Sequence, residues 1–144
     1  MLPSFEHFLD DKALYEQIVT PVCRAFDLTY MEFTVLMFLH NNPQYDTAAQ
    51  IVKVRQLTKS HVSLSLRSLQ ERGLVEGVYY PGNLKTVHLQ LTKASESIVA
   101  AGAAAQEEFG ACLVRGFTAE EVNQLQILME RVHSNMKQEE RNHG

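Results

Sequence analysis

TKSHVSLSLRSLQERGLVEGVYYPGNLKTVHLQL, residues 58–91, changes its period half-way along. Thr58 can cap a helix, because its hydroxyl accepts from a free amide of the first turn. Val62, Leu66 and Leu69 follow at spacings of four and three, which gathers them on one helical face. Gly73 stands where a left-handed residue would end that helix. Beyond it, Val87, Leu89 and Leu91 alternate with Thr86, His88 and Gln90, the two-residue period of a strand with one covered face. Leu74 to Tyr79 can be its partner, and Pro81-Gly82-Asn83 supplies turn residues between them.

At 100° per residue, Ser60, Leu64 and Arg67 point away from the apolar stripe, with His61, Ser63 and Ser68 on its flanks. This outer face carries hydroxyls, an imidazole, a guanidinium and a leucine, but no carboxylate. A face needing only solubility mixes Glu with Lys, so this one is suited to approach a polyanion. A helix followed at once by a two-stranded ribbon predicts a winged helix-turn-helix, the helix entering a major groove and the ribbon lying along the backbone or minor groove.

The chain has 144 residues, enough for one domain with a real core. Its net charge of −4 argues at first against nucleic acid, and the distribution reverses that argument. From Thr47 to Lys93, seven basic residues accompany two acidic ones, a local +5 against −9 for the remainder. A basic middle between acidic ends is the electrostatic footprint expected for a phosphate backbone; chance clustering is the alternative. No apolar run reaches the ~20 residues that span a bilayer, and no basic-then-apolar leader is visible. A cytoplasmic location without membrane attachment is therefore expected. Cys23 and Cys112 form no CxxC and are expected to be reduced, buried thiols.

Upstream, residues 3–26 predict a first helix through Phe5, Phe8, Leu9, Leu14, Ile18, Val22 and Phe26, with Pro21 kinking it or starting a new turn. Thr29 can cap a second helix, Tyr30 to about His40, ended by Asn41-Asn42-Pro43. Asp46 or Thr47 can cap a short third helix with Ala48, Ile51 and Val52 as apolar contacts. Gln56-Leu57 forms the turn into residues 58–73 and lacks the Gly common in such turns. Downstream, an alanine-rich fifth helix is expected from Thr92 to about Val114. Thr118 and Glu121 form a capping box for a last helix. Val122, Leu125, Met129, Val132 and Met136 form an a/d seam along it, broadened by Leu128, and residues 138–144 are expected to fray.

This order resembles the MarR family of bacterial transcriptional regulators over nearly the whole chain. LTYMEFTVLMFL at 28–39 looks like the family's second helix and LTKSHVSLSLRSLQERGLV at 57–75 like its recognition helix. HLQLT at 88–92 resembles the strand leading to its fifth helix, and GFTAEEVNQL at 116–125 the start of its last. The resemblance implies a mainly α fold of six helices with a small β-hairpin wing. Residues 1–144 would form one MarR-like domain: a winged helix-turn-helix lobe at 28–91, and a helical dimerisation region at 3–26 and 92–138. It also implies a homodimer on palindromic double-stranded DNA, acting as a repressor relieved by a small-molecule effector.

On this frame, Arg67 is the candidate for a base-edge or close phosphate contact, with a solvated surface Arg as the alternative. Lys59 and Ser60 are candidates for phosphate near free backbone amides, and His61 is either a third such contact or an N-terminal surface histidine. Ser63 is a hydrogen-bonding candidate and Leu64 an apolar one that can touch a thymine methyl. The family's wing carries Asp followed by two Arg; here stand Asn83, Leu84 and Lys85, and Lys85 meets phosphate as a point charge without the guanidinium fork. The recognition helix of the family often has Arg where Leu64 stands.

Tyr15, Phe26, Tyr30 and Phe33 are aromatic candidates around an effector, or else core, and no charged anchor singles out a ligand. Peroxide-sensing relatives carry a Cys near the start of the first helix, which Cys23 does not match, and Arg115 lies one turn from Cys112. His7, His40, His61, His88, His133 and His143 make no i,i+4 pair, so no metal or other cofactor is expected. No catalytic arrangement points to an enzyme. The competing class is a winged-helix protein-interaction module without specific DNA binding, separable by salt-dependent binding to duplex DNA.

Overall fold

The structure, a computed structural model, describes residues 12–144. Phe5, Phe8 and Leu9 of the expected first helix lie outside those residues. Six α-helices occur within them: α1 (Ala13–Ala25), α2 (Tyr30–Asn41), α3 (Ala48–Arg55), α4 (Lys59–Glu71), α5 (Glu96–Leu113) and α6 (Ala119–His143). Two strands, β1 (Val75–Tyr80) and β2 (Asn83–Leu91), pair antiparallel between α4 and α5. The expected class holds: mainly α with one hairpin.

Local chemistry places the helix starts where the sequence puts them. Thr29, Thr47 and Thr118 each form a full capping box, with Glu32, Gln50 and Glu121 respectively. Of the two candidates before α3, Thr47 is the cap. Pro21 lies inside α1, which continues through it to Ala25. Thr92 leads into a short 3-10 turn, Lys93–Ser95, and α5 begins at Glu96 rather than Thr92. The last helix runs on to His143 instead of fraying from 138. Lys137–Glu140 and Glu139–His143 pairs, each at 3.4 Å, lie along that stretch of good helix formers.

Left-handed residues stand at several of the reversals. Asp27 (φ 52), Gln56 (φ 53) and Gly73 (φ 71) follow α1, α3 and α4. At Asp27 the amides of Asp27 and Leu28 return to the carbonyls of Arg24 and Cys23, a Schellman arrangement. Gln56 completes the α3–α4 turn that has no glycine.

The chain divides into two compact units, residues up to Phe109 and residues from Gly110 onward. The core of the first centres on α2, whose Phe33, Val35, Leu36 and Met37 are fully buried with Val19, Ile51, Val62, Leu69 and Val75. Gly102 on α5 lets that helix approach α2 closely: a Cβ there would lie 2.5 Å from Met37 Sδ. The second unit is dominated by α6, 25 residues long and about 37 Å at a rise of 1.5 Å per residue. None of its residues is buried.

Candidate nucleic-acid interface

The outer face of α4 is built as the spacing predicts. Lys59, Ser60, His61, Ser63, Leu64 and Arg67 are all exposed, while Val62, Ser65, Leu66 and Leu69 face inward. Leu64 is 69% exposed. Thr58 accepts from the His61 amide at 3.3 Å, but α4 has no Glu or Gln at the third position to complete a box. Its first turn contains Lys59 and no acid. A cation at a helix start opposes the macrodipole, so an outside anion there is favoured by the charge and by the free amides together.

Ser68 departs from expectation. It is half-buried, and its hydroxyl donates to Glu32 Oε2 at 2.6 Å. Glu32 is buried on α2, where Oε1 accepts from the Thr29 amide at 2.8 Å. Burial pushes the Glu32 carboxyl up, but the bonds from Ser68 and Thr29 and the nearby Arg72 guanidinium outweigh it and hold it below its ordinary value. Ser68 therefore pins α4 to α2 and does not face outward. Arg72 is also committed: its two terminal nitrogens donate to the carbonyls of Asp27 and Phe26, each at 2.8 Å, closing the end of α1.

The wing is braced at base and tip. Val75 pairs with Leu91, Val78 with His88 and Tyr80 with Asn83, leaving Pro81-Gly82 as the loop. Pro81 followed by Gly82 at φ 83 fits a type II turn, which matches strand twist poorly, and pairing is irregular between Val78 and Tyr80. His88 is half-buried rather than open. Its ring stacks on Tyr80 with centroids 3.8 Å apart, and its Nδ1 lies 2.9 Å from Asp46 Oδ1. The Leu89 amide donates to the Asp46 carbonyl at 2.7 Å and the Tyr80 hydroxyl to Asp46 Oδ2 at 3.3 Å, so this single residue ahead of α3 holds the ribbon through three contacts.

At the tip, Asn83 Oδ1 accepts from the amides of Lys85 and Thr86 at 3.1 and 3.3 Å. A carboxylate could accept the same two bonds, so Asn83 can take the place of the Asp that the resemblance leads one to expect. Lys85 is exposed, and Leu84 is 78% exposed. Leu89 is buried and Leu91 half-buried on the covered face, whereas Val87 nearer the tip is exposed.

A cavity of about 690 Å³ opens among α1, α2, the end of α3 and α5. Tyr15 and Tyr30 line it; Phe33 is core and Phe26 packs against the core instead. Gln106 joins Asn41 to the Tyr15 hydroxyl through two 2.9 Å bonds along one wall. Arg55 lies at the same cavity, a charged group the sequence reading did not place there. Desolvation pushes the Tyr30 phenol above its ordinary value, helped by Tyr15 and Glu16 and opposed by Arg55.

Cys23 is buried, and burial pushes its thiol up despite a backbone hydrogen bond. Cys112 is half-buried rather than buried, with Arg115 Nη2 3.7 Å from its sulfur. Among the described residues, no three His, Cys, Asp or Glu side chains gather as a metal site, and no helix is long and apolar enough to cross a membrane.

A helix presented outward beside a braced β-ribbon defines a winged helix-turn-helix protein. Residues 26–78 match the model of the MarR family. The fold resembles a protein from Listeria monocytogenes assigned to the MarR family transcriptional regulators and complexed with 26mer DNA: TM-score 0.80, 19% identity, covering 96% of this chain and 92% of that one. It also resembles a SlyA-like transcription regulator from the same organism, with TM-score 0.79, 18% identity, and coverage of 96% and 92%. S. aureus MepR in its DNA complex follows at TM-score 0.67, 22% identity, and coverage of 89% and 91%. No curated protein matches the chain in sequence. The chain has a winged-helix fold, and the stretch 26–78 within it matches the MarR family model.

Proposed function

We propose that the chain is a sequence-specific DNA-binding transcriptional regulator that acts as a homodimer on a palindromic operator. The observation that carries this is the exposed outer face of α4, which holds no carboxylate from Lys59 to Arg67 and is headed by Lys59 and incompletely capped amides; its one acid, Glu71, stands at the far end of the helix. Lys59, Ser60 and His61 meet phosphate, Ser63, Leu64 and Arg67 meet base edges, and Lys85 meets phosphate from the wing. The DNA complexes formed by two of the similar proteins support the same use of the fold.

The lobe at 28–91 binds DNA, and the segments 3–26 and 92–138 pair two copies. Support for pairing comes from α6, whose Leu128, Met129, Val132 and Met136 are about half exposed or more along one seam. The cavity at Tyr15, Tyr30 and Arg55 receives a small-molecule effector whose binding releases the operator, making the protein a repressor. It works in the cytoplasm, without catalysis or a resident cofactor.

Selection of bound duplexes from a random pool tests the reading. It should recover two inverted half-sites with centres separated by about one helical turn, ~10 base pairs, bound with affinity that falls steeply with salt. The exposed apolar tip at Leu84 motivates the second reading, a protein-interaction module. Recovery of no sequence, with binding indifferent to salt, would favour that module.

A further inference from the structure

We propose that Leu64 reads the 5-methyl group of a thymine in the major groove, with Arg67 reading a guanine within one or two base pairs of it. This rests on α4 entering the groove, and it adds the chemistry of the base contacted. Leu64 occupies the middle of the outer face, and its neighbours at four before, one before and three after are Ser60, Ser63 and Arg67, all exposed. Among the described residues its side chain is left 69% exposed. Leucine has neither donor nor acceptor. Among the groups a base pair displays in the major groove, the thymine C5-methyl is the apolar one, so it is the group an isolated leucine can recognise. The serines beside it are shorter and cannot hold the leucine away from the base edges.

Arg67 then supplies the polar half of the contact. Three residues advance the helix by ~4.5 Å, against ~3.4 Å between base pairs on one strand, so the two side chains address neighbouring positions. The bidentate guanidinium suits guanine O6 and N7. Around Leu64 itself the face holds no acid: its exposed neighbours are Ser60, Ser63 and Arg67, and Glu71 stands one turn further on, past Arg67.

The test removes one methyl at a time. In the duplex recovered by selection, each thymine is replaced singly by deoxyuridine, which differs only in that methyl. Wild type and Leu64→Ala are compared on every duplex. Because Leu64 is outside the core, Leu64→Ala should retain the helicity of wild type by circular dichroism. One thymine per half-site should prove sensitive, wild type losing roughly fourfold per methyl and roughly fifteenfold when both half-sites carry the change. Leu64→Ala should bind the thymine duplex more weakly and be indifferent to deoxyuridine there. If wild type binds the selected duplex specifically but tolerates deoxyuridine everywhere, or if Leu64→Ala keeps the full sensitivity, the methyl contact is overturned while groove entry stands. If no duplex is bound in a salt-sensitive way, groove entry falls and the methyl contact with it.

Discussion

Ser68→Ala removes a single oxygen and should cost more than its size suggests. The hydroxyl donates to Glu32 Oε2 at 2.6 Å, and Glu32 is 6% exposed. Truncation leaves a buried carboxylate oxygen without that donor, while Oε1 keeps the Thr29 amide. Hydrogen bonds to charged groups contribute roughly 1.5–3 kcal/mol, and an orphaned buried acceptor costs a similar amount. A loss of about 2 kcal/mol is therefore expected at neutral pH. With a urea slope near ~2 kcal/mol/M, the denaturation midpoint should fall by about 1 M at fixed protein concentration.

The sign of the pH dependence follows from Glu32. Its folded-state carboxyl is held below the ordinary value. A depressed carboxyl contributes stability that is present above the unfolded-state pKa, ~4.3, and is lost as pH falls through the folded value. Removing Ser68 takes away the largest of the causes that lower it. The gap between wild type and variant should thus be full at pH 7 and narrow as pH drops below about 4. Equal midpoints at pH 7, or a gap constant down to about pH 3, would refute the claim that this bond pins α4 to α2.

Arg67→Ala should weaken binding to the selected operator by roughly 1–3 kcal/mol while barely changing binding to unrelated duplex; equal losses on both, in a competition titration, would remove its base-reading role. Lys85→Ala should cause a smaller loss that ignores sequence and should make the plot of log affinity against log salt shallower by about 1. An unchanged slope counts against wing contact with phosphate. Gly102→Ala should destabilise by about 1 kcal/mol in thermal unfolding, because overpacking of ~1–3 kcal/mol exceeds the ~1 kcal/mol gained in helix propensity. A more stable variant would mean that Met37 and Phe33 yield freely to the added methyl.

The parts of this fold that are legible in the sequence are those set by a local period or a short-range bond. Thr29, Thr58 and Thr118 announce their helices because each cap is completed within three residues. The stripe Val62–Leu66–Leu69 and the exposure of Ser60, Leu64 and Arg67 follow from helical geometry alone. What escaped depends on partners far along the chain. Ser68 looks like a flank residue until α2 brings Glu32, 36 residues away, to meet it. His88 belongs to an open face by alternation, yet Asp46 and Tyr80 enclose it. Gln56 takes a left-handed turn that a glycine would have advertised. Asp27 does the same, and Arg72 holds the carbonyls beside it.

Arg72 also changes what the basic middle of the chain can do. It contributes to the local charge excess, but its guanidinium is occupied by the carbonyls of Phe26 and Asp27 and adds no free hand for phosphate. At two of the three positions where the MarR resemblance leads one to expect Arg at the DNA, Leu64 and Leu84 stand instead, both widely exposed, and Lys85 stands at the third. Each phosphate neutralised steepens the salt dependence, so fewer free guanidinium groups mean a weaker sequence-blind attraction. Apolar contacts with base methyls are insensitive to salt. If α4 enters the groove as proposed, this interface shifts its discrimination away from charge and toward shape and methyl placement. Asn83 accepts the amides of Lys85 and Thr86 without carrying a charge, so a wing tip meeting phosphate as proposed would bring no acid at that position.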